Sequence, residues 1–384
     1  MDQERNDSVI RFLHTADWQL GMTRHFFSAG VQERYSQARF DAIRRLGQIA
    51  RSEDCAFLLV AGDAFESNQV DRRTVSRACE ALKDVPVPVY ILPANHDPLH
   101  AASVYHCSTF VDQKPDQVTI LEDTSPHDVA NGVELVGAPW MSRKPVVNPL
   151  EALLDTLPPG TGKIRLVAGH GIVDTFTPDK DAPGIIAVNK LEQALSEGKA
   201  DYIALGDRHS VTQLGSSKRI WYSGTPESTD FREDKSGYAL IVELEDGQVA
   251  TREVRVGKWE FIEIQQVDLN HAGDVSGLHR TLQALENKER TVVRLRLHGG
   301  LTLSLRVELQ KHLEAAHDLF AGFDVRDKNL VMVPEDADFA DLGFSGFADK
   351  TVARLREQIE AGGPGAGEAR DALLLLHRLV RGAA

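Results

Sequence analysis

Side chains able to bind a divalent cation stand in five short blocks along the 384-residue chain. Asp17 and Gln19 open the series, Asp63 and Asn95 follow, and His170, Asp207 and His209 close it. A single Gly-Asp or Gly-His pair is more often a turn than a site, but five blocks in order form a pattern. Carboxylate, amide oxygen and imidazole together suit manganese, iron or zinc, whereas calcium takes oxygen ligands throughout. Two such metals about 3.5–4 Å apart can activate a water, hold a phosphate and steady both oxygens of an in-line displacement. One carboxylate must bridge such a pair, and Asp63, central in the series, is the candidate. His96, next to Asn95, has two readings: a general acid or charge-stabilising donor at a leaving alkoxide, or a residue that orients Asn95.

Each block begins where a short apolar run stops. Residues 9–13, 56–61, 85–92, 163–168 and 201–205 read as buried strands. In open α/β sheets the carboxyl ends of such strands share one edge, so side chains placed there converge. Helical spacing of apolar residues predicts helices over 32–53, 70–83 and about 150–154, and further strands over 118–121, 133–137, 220–223 and 238–243. The class is α/β, a layered pair of sheets flanked by helices. The character changes around 254–265. A strand over 291–297, a helix over 305–319 and one or two strands over 323–333 make a smaller α+β domain. Two terminal helices, 349–361 and 369–380, are separated by Gly362-Gly363-Pro364-Gly365. The expected division is a flexible 1–8, a main domain over 9–256, a second over 257–345 and a helix pair over 346–384.

The formal net charge of −14 argues against indiscriminate coating of nucleic acid, while leaving room for a local basic groove. The three cysteines have no CxxC spacing, which argues against a structural zinc site or disulfide framework and for a reducing cytoplasm. Residues 1–8 lack the apolar core of a signal peptide. No apolar run is long enough to span a bilayer, so no membrane partner is expected.

The blocks His14-Thr15-Ala16-Asp17-Trp18-Gln19-Leu20-Gly21, Gly62-Asp63, Asn95-His96-Asp97, Gly169-His170-Gly171 and Gly206-Asp207-Arg208-His209 resemble those of the calcineurin-like metallophosphoesterases. Within that superfamily the first block and Tyr222-Ser223-Gly224-Thr225-Pro226-Glu227 resemble SbcD-type nucleases of double-strand-break repair. The resemblance covers about residues 9–230. It implies a metallophosphoesterase sandwich with a smaller α+β capping domain and terminal helices that dock onto the coiled coil of an SMC-like ATPase. It also implies one metal held by Asp17, Gln19, Asp63 and His209, a second held by Asp63, Asn95, His170 and Asp207, and His96 as catalytic histidine. The implied activity is manganese-dependent exonucleolytic and endonucleolytic hydrolysis of DNA phosphodiesters, by a homodimer.

Two ligand positions depart from the family pattern. Gln19 stands where a histidine is usual, and Asp207 stands where the first histidine of a Gly-His-x-His block is usual. Glu66 also replaces a frequent histidine. Three readings stay open: an active enzyme with altered metal preference, an enzyme needing one tight metal, or a degenerate DNA-binding scaffold. A phosphodiesterase or phosphatase acting on small nucleotides is the alternative within enzymes. Among the remaining residues, His14 reads as orienting its turn and Trp18 as packing. Arg208 is a candidate phosphate contact. Arg24, His25, Arg143, Lys144, Arg294 and Arg296 are either nucleic-acid backbone contacts or solvated surface charge.

Overall fold

The computed structural model describes residues 9–160, 162–179, 184–245, 248–333 and 347–363, with scattered positions from 365 to 376. The expected flexible start (1–8), the end of the second domain (334–345) and much of the last helix lie outside the described residues. The chain divides into two compact units, Met1–Phe261 and Ile262–Ala384. The second unit takes in both the expected α+β domain and the terminal helix segment.

The first unit opens with β1 (Ile10–Thr15), α1 (Ala29–Ser52), β2 (Phe57–Val60), α2 (Arg72–Lys83), β3 (Val89–Ile91), α3 (Ser108–Gln113) and β4 (Val118–Ile120). It continues through β5 (His127–Ala130), β6 (Val133–Gly137), α4 (Pro149–Thr156), β7 (Ile164–His170) and α5 (Val188–Ser196). β8 (Tyr202–Gly206), β9 (Thr212–Leu214), β10 (Ile220–Tyr222), β11 (Tyr238–Glu245) and β12 (Gln248–Arg255) complete it, before β13 (Glu260–Leu269) crosses into the second unit.

These strands form two sheets, ordered β12-β11-β1-β2-β3-β4 and β5-β6-β7-β8-β10-β9. β1 to β4 run parallel, as do β6, β7, β8 and β10, and the antiparallel strands lie at the margins. The register sets Thr15 beside Val60 and Val60 beside Ile91, so the first three blocks leave the sheet at one level. His170 lies beside Gly206, which levels the fourth and fifth.

Strand period explains the layering, because successive side chains point to opposite faces. In β2, Leu58 and Val60 pack under α1 and α2, while Phe57 and Leu59 enter the space between the sheets. In β8, Tyr202 and Ala204 enter that same space, while Ile203 and Leu205 pack beneath α4 and α5. With apolar groups on both faces, these strands read as continuous hydrophobic runs rather than alternating ones. Phe12 and Phe57 stack at 4.8 Å in the middle layer. The result is helix, sheet, sheet, helix.

In the second unit, β13, β14 (Thr291–Leu301) and β15 (Gly322–Met332) form a sheet in that order, with α6 (Ala272–Ala284) and α7 (Leu303–His317) between strands in the chain. Leu269, Val275, Leu278, Val293, Leu295, Leu309 and Leu313 make its own core. α8 (Phe347–Ala361) follows, with Val352 buried against Leu373.

Candidate metal centre

The loops after the strands are laced together before any side chain is considered. Backbone N–H groups of Asp17, Gln19 and Leu20 donate to the carbonyls of Gly62, Asp63 and Ala64 at 2.9–3.0 Å, so the first and second blocks run as a pair. Gly171 N–H donates to Gly206 at 3.2 Å, joining the fourth block to the fifth. The Asp207 N–H reaches both carboxylate oxygens of Asp17 at 3.1 Å, and that contact crosses from one sheet to the other.

Several of these residues adopt the left-handed backbone region: Asp17 (φ 53°), Gln19 (φ 44°), Asp63 (φ 53°) and Asp207 (φ 101°). Such conformations cost about 1–3 kcal/mol each and gather where a site needs side chains aimed against local preference. Two glycines give the room. A Cβ on Gly62 would lie 2.1 Å from His170 Nδ1, and one on Gly206 would lie 2.1 Å from the Ala61 carbonyl. His170 fills the space both leave open.

Ligand atoms of Asp17, Asp63 and His170 lie within 4.8 Å of one another, and all three residues are buried. His170 Nδ1 donates to the Ala61 carbonyl at 2.8 Å, which leaves the Nε2 lone pair facing inward. That nitrogen stands 3.4 Å from Asp63 Oδ2 and 3.7 Å from Asp207 Oδ1, too far for good hydrogen bonds and close enough to share a cation. His209 Nδ1 is held by Glu233 at 2.7 Å and Thr229 at 2.9 Å, and its Nε2 meets the Gln19 side-chain amide at 3.1 Å. A carboxylate behind an imidazole fixes its tautomer and raises its basicity, as in carboxylate–histidine–metal triads.

His96 is placed from behind. Its N–H donates to Asp63 Oδ1 at 3.0 Å and its Nδ1 donates to the Glu66 carbonyl at 2.8 Å. Nε2 then stands 3.9 Å from Asp63 Oδ2, on a side chain that keeps partial solvent access. Asp97 secures the turn beneath it, accepting from the Ala94 and Phe65 N–H groups and the Tyr105 hydroxyl.

Electrostatics point the same way. Burial pushes the Asp17 carboxyl up to about 6, and it also raises Asp207. Burial would lower His170, yet Asp63, then Asp17 and Asp207, lift it to about 10. His209 is lifted to about 9 against burial, by Glu233 first. Three clustered carboxylates thus draw positive charge onto whatever neighbour can carry it. A divalent cation supplies that charge directly.

Unpartnered buried atoms test the fit. Gln19 Oε1, Asn95 Oδ1 and His170 Nε2 are all buried without a hydrogen-bond partner. Each is an atom type that ligates a metal, and each belongs to one of the sequence blocks. Buried polar atoms normally find partners, so these fit a bound cation.

Other candidates fall elsewhere. His14 shares a hydrogen bond with the Tyr202 hydroxyl at 3.0 Å, and burial pushes its pKa down to about 3. Trp18 is buried in the helix-covered core, its indole N–H on Thr15 at 3.1 Å. Arg208 lies over the Phe176 ring at 3.9 Å and donates to Thr212 at 2.8 Å. Arg24 donates to the Thr229 carbonyl. Sequence reasoning missed Glu233 and Thr229 because they lie in a loop without pattern. It also missed Trp140 and Asn148, which both donate to the His170 carbonyl, at 3.2 and 3.1 Å. Asn148 did carry a signal: it caps α4 immediately before Pro149, the favoured order at a helix start.

The sequence profile of the calcineurin-like phosphoesterases matches residues 10–242. Over 91% of its length the chain is similar to the DNA double-strand break repair protein Mre11 of Archaeoglobus fulgidus, with 24% identity and 82% of that protein covered. It is similar to the SbcD component of the nuclease SbcCD of Bacillus subtilis at 26% identity, over 63% of this chain and 68% of that one. The corresponding component of the Escherichia coli nuclease is 23% identical over 64% of this chain and 67% of its own.

Proposed function

From its membership of the calcineurin-like phosphoesterases, to which this chain belongs, we propose that it hydrolyses phosphodiester bonds of DNA as a two-metal nuclease. That it is a metal-dependent phosphoesterase follows from the family and its nuclease relatives. The observations that carry the reading are the clustered ligand atoms of Asp17, Asp63 and His170 and the buried, unpartnered ligand atoms on Gln19, Asn95 and His170.

One metal would be held by Asp17, Gln19, Asp63 and His209, and the other by Asp63, Asn95, His170 and Asp207. Two divalent ions, manganese in this reading, would supply Lewis acidity to the phosphate and a nucleophilic water at neutral pH. The chain's own residues do the rest. Glu233 fixes the His209 tautomer, the Ala61 carbonyl fixes that of His170, and the Glu66 carbonyl holds His96 Nδ1, which would leave Nε2 to meet a bound phosphate. There His96 in its doubly protonated form, Nδ1–H on the Glu66 carbonyl and Nε2–H outward, would give the Nε2 proton to the leaving alkoxide or hydrogen-bond the developing charge. Gln19 and Asp207 keep an oxygen donor at both altered positions, and this favours the active-enzyme reading over the scaffold.

The SbcCD relatives are named as subunits of a larger nuclease. A coiled-coil ATPase partner for this chain, a second copy of the chain and a cytoplasmic setting belong to this proposal. α8 is the candidate docking element, and the free thiols Cys55, Cys79 and Cys107 fit a reducing compartment.

The test is cleavage of linear single- and double-stranded DNA with and without manganese. His96→Ala should lower kcat by about 10²–10⁴-fold with metal still bound, and Asp63→Ala should lose both. Cleavage retained in both variants overturns the site. Turnover of a small diester such as bis(p-nitrophenyl) phosphate beside inert DNA overturns the substrate.

A further inference from the structure

Residues 141–147, Met141-Ser142-Arg143-Lys144-Pro145-Val146-Val147, form a loop with no regular structure between β6 and α4. Its two ends meet. Trp140 and Asn148, the residues on either side, donate to one oxygen, the His170 carbonyl. The Trp140 backbone N–H also donates to the Pro93 carbonyl at 3.0 Å, two residues before the Asn95-His96-Asp97 block. A loop closed this way on its own base is compact rather than trailing. It therefore stands at the margin of the metal centre, fastened to the blocks that carry His96 and His170.

Its apolar side chains lie open to solvent. Val146 is 85% exposed, Val147 53% and Met141 52%, in a loop that buries none of its apolar side chains. Arg143 and Lys144 are exposed as well. The other arginines singled out in the sequence are engaged: Arg208 on Phe176, Arg24 on Thr229, Arg294 on Asp324 and Arg296 on Glu263. Arg143 and Lys144 make no ion pair or side-chain hydrogen bond among the described residues. Two uncommitted positive charges beside bare valines, on a chain of net charge −14, match a polyanion whose bases offer an apolar surface.

We propose that loop 141–147 is a DNA-engaging lip of the metal centre. Arg143 and Lys144 would hold backbone phosphates, and Val146 and Val147 would press against the end base pair and loosen its stacking. This rests on the DNA reading above and adds to it a way of presenting a duplex end.

The test uses the full chain and a linear duplex with 2-aminopurine at its terminal base pair, in EDTA so that nothing is cut. For wild type, binding should raise 2-aminopurine fluorescence as the end base unstacks. Arg143→Ala with Lys144→Ala should weaken binding about tenfold or more. It should also reduce the slope of log affinity against log salt by about two, one for each phosphate no longer neutralised. Val146→Ser with Val147→Ser should keep the salt slope and lose the fluorescence rise. Both variants should turn over bis(p-nitrophenyl) phosphate with manganese at the wild-type rate, which also shows that they fold. Wild-type slope and fluorescence in both variants overturn the proposal, including the case where they lose only a protein partner. Small-diester turnover by a wild type that does not bind DNA overturns the DNA reading itself, and the lip with it.

Discussion

Gln19 is the residue at which this centre is most individual. Its side-chain amide meets His209 Nε2 at 3.1 Å, so the nitrogen expected to bind one metal already has a partner, whereas His170 Nε2 has none. The two proposed metal positions would therefore be unequal: at one the imidazole nitrogen is without a partner, and at the other it would exchange a hydrogen bond for a metal contact. An amide oxygen is also a weaker donor than imidazole toward manganese or iron. Gln19→His should raise manganese affinity at one of two sites by roughly tenfold, read by electron paramagnetic resonance of free Mn2+ during titration. Unchanged binding at both sites removes Gln19 from the ligand set. The candidate ligands stood out in the sequence because each stands at or just after the end of an apolar run. Glu233 was not, since nothing in its neighbourhood marks a carboxylate that must reach His209 across the fold.

At the scale of elements, the strand ends carry the site and their glycines set its tolerance. Gly62 pairs a left-handed backbone (φ 104°) with His170 Nδ1 2.1 Å from where a Cβ would stand. Gly62→Ala should destabilise the first unit by about 2–4 kcal/mol and lower metal affinity with it, measured by denaturant unfolding and by calorimetric titration. Wild-type values for both would mean that His170 can move aside without loss. The block Tyr222–Glu227 acts as a brace: the Thr225 hydroxyl donates to the Asp17 carbonyl at 2.8 Å, and Glu227 accepts from the N–H groups of Lys258 and Trp259. Burial pushes the Glu227 carboxyl from 4.5 up to about 7. The folded protein then holds that proton more tightly than the unfolded chain, so stability falls as pH rises through this window. Glu227→Gln keeps the accepting oxygen and removes the charge. It should raise Tm at pH 8 by on the order of 5 °C relative to wild type and leave it nearly unchanged at pH 4.5. A constant difference across that range would place the proton elsewhere. The strands feeding the five blocks were readable from their apolar runs. α6 and β13 were not: the α6 stripe is only Val275, Leu278 and Leu282 in a helix holding Gly273 and Gly277, and β13 buries only Leu269 fully.

For the whole molecule, order in the chain gives order in the sheets except where β11 returns beside β1 and β10 comes beside β8. β1 lies between β2, its successor in the first sheet, and β11, with Ile10 beside Leu244. Local periodicity identifies both strands and cannot identify that pairing, which is decided by the shared core of Phe12, Leu240 and Val242. The division into two units has a thermodynamic counterpart. Among the described residues the clustered metal-binding group lies wholly in Met1–Phe261, and the second unit has its own core. Calorimetry should therefore resolve two transitions, with manganese at 100 times its Kd stabilising one by about 2.7 kcal/mol and leaving the other unmoved. A single transition that shifts as a whole would mean that the units unfold together.

Trp140 gives the centre a voice. Its ring lies 6.3 Å from that of His170, edge to face, and its indole N–H is bonded to the same residue's carbonyl. A paramagnetic ion bound to His170 would sit close enough to quench that indole, while a diamagnetic ion of similar size would not. Only four tryptophans share the emission of the chain, and Trp140→Phe isolates the contribution of this one. Occupancy of the position served by His170 can then be followed by light in solution, without substrate and without turnover.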